Sequence, residues 1–245
     1  MSGNESCIVR HFKHYGPLSE SDTKLLQALE KEPISGTSGQ TLWEEGDKAG
    51  EICTIKSGWA YSYRNIDDGT RQVLDVFLPG DIVGLREFAF KERMSGIKLL
   101  TDSVICRFPH NHLIDIFRDS TKLTTIFFSI SARQQTLLTE RLVNLGRRNA
   151  FEKTAHLVYE LYMRLKRTNP ELGNSFELPL SQQIIADALG LSAVHVSRTF
   201  SELREENMIC RERNHVTLLD IERLESVIGF SKAYLQEQDY LSYVS

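Results

Sequence analysis

The stretch LSQQIIADALGLSAVHVSRTFSEL, residues 180–203, decides how the whole chain is interpreted. Apolar side chains recur at helical spacing in its first half: Ile184, Ile185, Ala188 and Leu189. This spacing predicts a short helix with one buried face. Gly190 is expected to end that helix, because glycine adopts the left-handed backbone of a helix end without a steric penalty.

A second helix is expected to begin at about Ala193, with Ser192 as its N-cap. Helical spacing predicts an inward stripe of Val196, Phe200 and Leu203 and an outward face of Val194, Ser197, Arg198 and Ser201. Ala186 is small where the two helices would cross, and Val196 would pack back on the first helix. This pattern predicts a helix-turn-helix, and the alternative is an ordinary helical hairpin with a glycine turn.

The composition bounds the class of protein. With 245 residues the chain is long enough for two domains, and 41% hydrophobic with 25% charged residues is typical of globular proteins. Its apolar runs are far shorter than the roughly 18 residues of a membrane span. The start, MSGNESC, has no basic segment followed by an apolar one. The expected location is therefore the cytoplasm.

Charge is distributed unevenly along the chain. The net formal charge is −4, which by itself argues against a nucleic-acid partner. Residues 147–219, however, carry ten basic and nine acidic side chains, whereas the residues on either side are net negative. DNA binding would therefore depend on the local placement of arginines within this region.

The first third of the chain changes from a helical to a β-type pattern. Residues 17–31 predict an amphipathic helix capped by Ser19 or Ser21. After Pro33, short β-type runs follow at residues 40–44, 51–56, 59–65, 71–78 and 103–108. Asp68-Gly69 between two of these runs predicts a hairpin. The rhythm is typical of an antiparallel barrel or sandwich.

The glycines between these runs follow a recognisable order. They occur in E-G-D, K-S-G, D-G and P-G-D-x-x-G, the last ending at Gly84. This order resembles the β-roll of cyclic-nucleotide-binding domains, and the resemblance to the CRP/FNR family of bacterial transcription regulators covers nearly the whole chain. It implies an α+β fold with an N-terminal antiparallel β-roll, a double-stranded β-helix of jelly-roll type with flanking helices. A long dimerisation helix and a C-terminal winged helix-turn-helix would follow.

Residues 123–145 return to a helical pattern. Steps of three or four residues predict a coiled-coil seam and dimer interface of Phe127, Ile130, Gln134, Leu138, Leu142 and Leu145. A polar Gln134 inside the seam would fix the register at a cost in stability. The alternative is a helix that packs only on its own β-roll. Pairing is favoured because a reading head of this kind usually works as a dimer.

The remaining segments complete the domain plan. Residues 145–150 are interpreted as a hinge, and residues 151–166 predict a further helix before a polar loop. Residues 208–211 and 215–218 predict a β-hairpin wing with its turn at residues 212–214. The expected domains are a sensor at residues 1–120, the dimerisation helix and hinge at 121–148, and the winged helix at 149–245.

The family resemblance implies a small effector inside the β-roll. In cyclic AMP receptors a glutamate binds the ribose hydroxyls and an Arg-Ser or Arg-Thr pair binds the phosphate, but the matching positions here are Leu85 and Arg93-Met94. Each ligand group left unpaired would cost about 1–3 kcal/mol, so cyclic AMP is not expected. The alternative for Arg93 is an exposed, solvated charge. The candidate effector residues are Gly84, Leu85, Arg86, Arg93, Ser95, Leu138 and Thr139.

The cysteines argue against a metal centre. The four of them, Cys7, Cys53, Cys106 and Cys210, form no CxxC pair, so buried thiols are expected rather than a zinc ribbon or disulfides. An iron–sulfur cluster would need closely spaced thiolates near the N-terminus, where only Cys7 lies. Cys106, His110 and His112 suit a strand end and polar turn better than a metal or haem site, so neither is expected.

The outward face of the second helix carries the predicted DNA readers. Ser197 and Arg198 match the Ser-Arg pair of a FixK-like branch, whereas Val194 stands where other members have a glutamate that accepts from a cytosine amine. Arg198 can bind guanine O6 and N7, and Val194 can contact a thymine methyl group. His195 either reaches a phosphate or only flanks the helix. The predicted DNA-binding set is Ser192, Val194, His195, Ser197, Arg198, Ser201 and Arg213.

The sequence therefore predicts a homodimeric transcription regulator that binds a palindromic operator. It leaves activator and repressor open, and contact with RNA polymerase is expected if the protein is an activator. The rival is a nucleotide-binding regulatory module whose C-terminal part contacts protein, and only the reader face argues against it. An enzyme is not expected, because no nucleophile with its base, no metal cluster and no pair of acid/base carboxylates emerges.

Overall fold

The computed structural model describes residues 6–30 and 33–230. Of these, residues up to 64 and from 75 to 135 form one compact unit, and residues 65–74 with those from 136 onward form a second. Residues 231–245 of the predicted C-terminal domain lie outside the described residues. No helix in the described ranges is long and apolar enough to cross a membrane.

Two four-stranded antiparallel sheets form the predicted β-roll. Their strands are β1 (Pro33–Gly36), β2 (Thr41–Trp43), β3 (Glu51–Ser57), β4 (Ala60–Asn65), β5 (Arg71–Phe77), β6 (Ile82–Val83), β7 (Gly96–Leu99) and β8 (Ser103–Pro109). One sheet has the order β1-β8-β3-β6 and the other β2-β7-β4-β5. The five β-type runs predicted from the sequence are all strands, and β4 and β5 flank the predicted Asp68-Gly69 turn.

Alternation along β3 shows where the cores lie. Cys53 and Ile55 are buried inside the roll with side chains of both sheets. Ile52, on the opposite face of the strand, is buried among the helices. Successive side chains of a strand point to opposite faces, so a strand covered on both sides reads as a continuous apolar run. This double burial is why β3 shows little polar alternation in the sequence.

In the described part of the first unit, three short strands and two α-helices are not predicted from the sequence. The strands are β1, β6 and β7, and the helices are α1 (Cys7–Lys13) and α3 (His110–Asp119). The interpretation of His110 and His112 as part of a polar turn is therefore wrong, because both lie in the first turn of α3. Gly96 of β7 has a packing reason, since an added Cβ would lie 2.6 Å from the ring of Tyr63.

The predicted N-terminal helix is α2 (Glu20–Ala28), and Ser19 caps it as expected. Ser19 and Asp22 form a reciprocal capping box, which satisfies two backbone N–H groups of the first turn. The buried Asp22 carboxylate also accepts a 2.6 Å hydrogen bond from the hydroxyl of Ser120. One side chain therefore both starts α2 and attaches it to the residue that precedes the long helix.

The long helix, α4, runs over Thr121–Arg147, and its first half packs within its own chain. Phe127 is 2% exposed and Ile130 is also buried, both in the cluster that includes α1, α2 and α3 side chains. Gln134 donates to the carbonyl of Ile82 at 3.5 Å. The first half of the predicted dimer seam is therefore corrected, because Phe127 and Ile130 have almost no exposed surface with which to contact a partner chain.

Apolar side chains on α4 that remain exposed are Phe128, Leu138, Leu142 and Val143. Leu142 is 64% exposed, whereas Leu145 is half-buried. The helix continues through Gly146 to Arg147. Of the predicted hinge at residues 145–150, only Arg148 and Asn149 therefore lie outside a helix. Glycine weakens a helix by only about 1 kcal/mol, which the flanking turns of α4 outweigh.

The second unit contains the predicted winged helix. Its elements are α5 (Ala150–Thr168), β9 (Ser175–Glu177), α6 (Gln182–Leu189), α7 (Ala193–Glu205), β10 (Ile209–Glu212), β11 (His215–Leu218) and α8 (Ile221–Ile228). Asn149 caps α5 in a capping box with Glu152. The predicted wing is the antiparallel pair β10 and β11, and β9, which is not predicted from the sequence, adds a third strand at the end of the polar loop.

A buried polar group lies at the centre of α5. Glu160 is buried and accepts hydrogen bonds from Arg141 at 2.7 Å and from Arg164 at 3.4 Å. One turn earlier, His156 is buried with no hydrogen-bond partner for either ring nitrogen among the described residues. Burial lowers the pKa of His156 to about 4, against the opposing effect of Glu160. The imidazole is thus neutral in the folded protein.

This burial makes stability depend on pH. An unfolded histidine titrates near 6.5, so between that pH and about 4 the unfolded chain binds more protons and the folded state loses stability as pH falls. We expect His156→Gln to remove up to about 3 kcal/mol of this pH dependence of the unfolding free energy. Urea denaturation from pH 7 to pH 4 measures it. His195→Gln, on the exposed surface of α7, is the control, and equal profiles for both variants would contradict the assignment.

Candidate nucleic-acid interface

The predicted helix-turn-helix is present residue by residue. Ser181 caps α6 by accepting from the backbone N–H of Ile184 at 3.2 Å. Gly190 ends the helix in the left-handed region, at φ 62°. Ser192 then caps α7 by accepting from the N–H of His195 at 3.2 Å, so the helix begins at Ala193 as predicted. Each helix end is satisfied by a local side chain.

Close packing sets the angle between the two helices. Ala186 and Val196 are both fully buried, and so are Ile185 and Leu203. The backbone N–H of Leu191 donates to the carbonyl of Ala186 at 3.1 Å, which closes the turn over the small side chain. These contacts confirm the role that the sequence predicts for a small residue and a branched residue at this crossing.

The opposite face of α7 is exposed. Val194 is 69% exposed, and the side chains of His195, Ser197, Arg198 and Ser201 are exposed as well. The hydroxyl of Ser201 donates to the carbonyl of Ser197 at 3.3 Å. Because the inward stripe is buried, these side chains form one surface that can enter a groove of DNA.

The wing places Arg213 next to this surface. Arg213 lies in the turn between β10 and β11, where Glu212 pairs with His215. Its φ is 55°, a left-handed conformation that is uncommon for a residue with a Cβ and costs about 1 kcal/mol or more. The side chain of Arg213 is exposed, as its predicted contact with DNA requires.

Three exposed arginines lie on or next to this surface. Arg198, Arg204 and Arg213 form no ion pair with a carboxylate of residues 6–30 or 33–230. By contrast, Arg141 and Arg223 bind Glu160 and Glu206 at 2.7 and 2.5 Å. Unpaired guanidinium groups on one face give local positive charge in a chain that is acidic overall, which favours a polyanionic partner.

The predicted effector residues of the β-roll do not fit a cyclic nucleotide. Gly84 is left-handed at φ 88° and begins a short 3₁₀ turn, Leu85–Glu87. Leu85 packs against the helical core, and the exposed Arg86 donates to the hydroxyl of Ser62 at 3.3 Å. Leucine at this position supplies no acceptor for ribose hydroxyls. Leu138 and Thr139 belong to the second unit.

Arg93 is not the solvated surface charge that the sequence suggested as an alternative. It is 2% exposed, its guanidinium lies 3.9 Å from the ring centre of Trp43, and it donates to the carbonyl of Glu51 at 2.6 Å. Glu87, also buried, has a carboxylate oxygen 3.8 Å from Arg93 Nη1 and accepts from the hydroxyl of Ser95 at 3.3 Å. Glu87 therefore forms an ion pair with Arg93 and a hydrogen bond with Ser95. Glu87 is not among the effector residues predicted from the sequence.

The thiols are buried, as predicted, where the structure describes them. Cys53 and Cys106 are buried and Cys210 is half-buried, whereas the side chain of Cys7 lies outside the described part. Burial raises the pKa of Cys53 to about 12, so its reactive thiolate is not populated near neutral pH. Among the described residues no three histidine, cysteine, aspartate or glutamate side chains are grouped closely enough to hold a metal ion.

Two family models match separate parts of the chain. A cyclic nucleotide-binding domain model matches residues 35–120, and a Crp-like helix-turn-helix domain model matches residues 152–227. The first match covers most of the β-roll strands, and the second covers α6, α7 and the wing. The matched segments agree with the sensor and winged-helix architecture described above.

Similar proteins extend over nearly the full length. A probable transcriptional activator of Rhizobium leguminosarum bv. viciae is 30% identical over 91% of this chain and 92% of its own. The transcriptional activatory protein AadR of Rhodopseudomonas palustris is 27% identical over 90% and 91%. The structure of FixK2 from Bradyrhizobium japonicum shares the fold with a TM-score of 0.74 at 22% identity, covering 82% of this chain and 98% of that one.

The buried Arg93–Glu87 pair predicts an asymmetric effect of mutation. Glu87→Ala should lower the free energy of unfolding by about 3 kcal/mol, because it leaves a buried guanidinium without its carboxylate. Adding Arg93→Met should recover part of that loss. Denaturant unfolding measures both. The control is Glu45→Ala, whose exposed ion pair with Arg64 should contribute less than about 1 kcal/mol. Equal losses for Glu87→Ala and Glu45→Ala would contradict the prediction.

Proposed function

Because the chain belongs to the CRP/FNR family of bacterial transcription regulators, we propose that two copies form a dimer that binds an inverted-repeat operator. The observation that carries the proposal is the exposed face of α7, where Arg198, which has no ion pair with any described residue, lies beside Val194 and Ser197. The chain would act in the cytoplasm, where promoter DNA is accessible. Its relatives are named as activators, which supports contact with RNA polymerase.

Sequence preference is assigned to two side chains on α7. Arg198 binds guanine O6 and N7 in a bidentate contact, and Ser197 supports it through a base or phosphate contact. Val194 offers only methyl groups, so it contacts a thymine methyl where a glutamate would accept from cytosine. The half-site should therefore differ from that of family members with glutamate at this position. Selection of bound sites from random duplex DNA tests the proposal as a whole.

The dimer is assigned to the exposed apolar side chains of α4, principally Leu138 and Leu142. Apolar surface left in water on one helix face is stabilised by pairing with an identical face. In the dimer the two recognition helices would lie about 34 Å apart, one turn of B-DNA, which explains an operator with two-fold symmetry. Gln134 does not contribute, since its side chain bonds to the β-roll.

The β-roll is assigned to signal reception, with an effector other than cyclic AMP. Leu85 supplies no acceptor for the ribose, and Arg93 is bound by Glu87 and stacked on Trp43. A cyclic phosphate bound to Arg93 would place its negative charge next to the buried carboxylate of Glu87, 3.8 Å from Arg93 Nη1, and two like charges in a buried site repel each other. The signal therefore acts through chemistry different from that of the cyclic AMP receptors.

The dimer assignment predicts that Leu138→Glu with Leu142→Glu gives a monomer at micromolar concentration, because four carboxylates would face one another across the seam. Light scattering measures the mass. Val227→Glu is the control, since it places the same charge at another exposed apolar position. An unchanged mass for the double variant would exclude this face as the interface.

The reader assignment predicts that Arg198→Ala weakens binding by about 1–3 kcal/mol per half-site and relaxes preference at one symmetric base pair. Val194→Glu should shift preference at the neighbouring pair towards cytosine. Binding to a panel of single-base operator variants measures both effects. Uniform weakening across the panel by Arg198→Ala would show that another face of α7 reads the bases.

The pocket assignment predicts no binding of cyclic AMP at physiological concentration and no effect of cyclic AMP on DNA affinity. Isothermal calorimetry on the wild-type protein measures the first, and fluorescence anisotropy with the selected operator measures the second. A micromolar dissociation constant for cyclic AMP would contradict the assignment, because Arg93 would then bind the phosphate in spite of Glu87.

A further inference from the structure

A solvent-open cavity of about 410 Å³ lies where α6, α7 and the wing meet. Its polar walls are Gln182 from the first turn of α6, Ser197, Ser201 and Arg204 from α7, and Arg213 and Asn214 from the wing turn. Ser197 also belongs to the exposed face that carries the predicted readers. The cavity therefore borders the surface on which the bases would be read.

The cavity is positively charged. Three arginines line it, and none of its lining residues in the described part of the chain is an aspartate or a glutamate. Of these, Arg204 and Arg213 are exposed and form no ion pair within the described ranges. A site with free guanidinium groups and amide and hydroxyl donors attracts an anion that can accept several hydrogen bonds.

The third arginine, Arg211, forms the floor of the cavity. Its guanidinium lies 4.9 Å from the ring centre of Phe200 on α7. Nε donates to the carbonyl of Arg213 at 3.1 Å, and Nη2 donates to the carbonyl of Leu180 just before α6. One planar group thus contacts α7, the entry to α6 and the wing turn together. Such a contact fixes the strained Arg213 backbone relative to both helices.

We propose that this cavity binds one backbone phosphate of the operator, with Arg204 and Arg213 as its ligands and Arg211 as the residue that positions the wing turn. The inference rests on the proposed DNA binding and deepens it by naming the part of DNA that the cavity takes. Neither Arg204 nor Arg211 belongs to the reader face that the sequence predicts. Both are assigned from the geometry of the cavity.

A phosphate fits this place better than a base. Among the described residues that line the cavity, Phe200 is the single aromatic one, and the guanidinium of Arg211 lies over its ring, where a base would otherwise stack. The donors on the walls match the acceptor oxygens of a phosphate, and backbone phosphates flank any groove that α7 enters. A contact of this kind fixes the position of the reading helix and carries no sequence information.

The test uses the full-length protein and the operator obtained by selection. Arg204→Gln and Arg213→Gln should each weaken binding about five- to tenfold for every operator variant and lower the salt slope by about one. The matched control is Arg223→Gln, which removes the same charge in the same unit from an exposed pair with Glu206. It should leave the slope unchanged.

Replacing single phosphates of the operator by neutral methylphosphonates locates the contact. One symmetric position should weaken wild-type binding, should weaken Arg204→Gln and Arg213→Gln less, and should have no effect on the variant that carries both substitutions, because both partner charges are then gone. Arg211→Lys should become insensitive at that same position although it keeps its charge, since lysine cannot bond to both carbonyls and stack on the ring. Thermal unfolding of each variant shows that the fold is retained.

The outcomes separate two failures. If the wild-type protein selects no DNA, the proposed function itself fails. If it selects an inverted repeat but Arg204→Gln and Arg213→Gln behave like Arg223→Gln, only the phosphate site is overturned. A change of base preference at one position in either variant would also overturn it, because the side chain would then read a base. If Arg211→Lys keeps the wild-type sensitivity to the methylphosphonate, Arg211 does not position the wing turn for phosphate binding.

Discussion

The left-handed backbone at Gly190 is the constraint on which the DNA-binding unit depends. A Cβ at this position would meet no atom within 4 Å, so the requirement is conformational rather than a lack of space. At φ 62° the chain reverses within two residues, which lets Ser192 cap α7 directly. With the turn fixed, Ala186 and Val196 can meet at the crossing, and the face of α7 that remains exposed is determined.

The same helix also supports the wing. The inward Phe200 receives the guanidinium of Arg211, and that arginine bonds to the carbonyls of Leu180 and Arg213. Rotation of α7 would therefore move the wing turn together with the exposed side chains to which we assign base reading. A half-buried guanidinium with two backbone acceptors is suited to this task, because each acceptor restricts a different segment of the chain.

Local rules explain which elements could be predicted from the sequence. Caps, glycine turns and regular spacing act within a few residues, and they predicted α2, the helix-turn-helix and five strands. The strands β1, β6, β7 and β9 were missed because two to four residues are too few to show a period, whereas the equally short β10 and β11 were predicted as a pair joined by one turn. Spacing also showed that Phe127 and Ile130 share a face of α4, but not that the β-roll helices cover it.

The buried pair in the β-roll shows why site chemistry was harder to predict than fold. A sequence shows that Arg93 and Ser95 are near a phosphate-binding motif, but not that Glu87, in a 3₁₀ turn, folds back on them. Burial changes the interactions that each group needs. A buried arginine is destabilising unless it has a charged partner, and a nearby carboxylate can be that partner. The β-roll architecture depends on its apolar core and turns, which do not depend on the identity of the polar side chains in the pocket. Ligand choice depends on two or three of those polar side chains. The fold can therefore be retained while the signal that it receives changes.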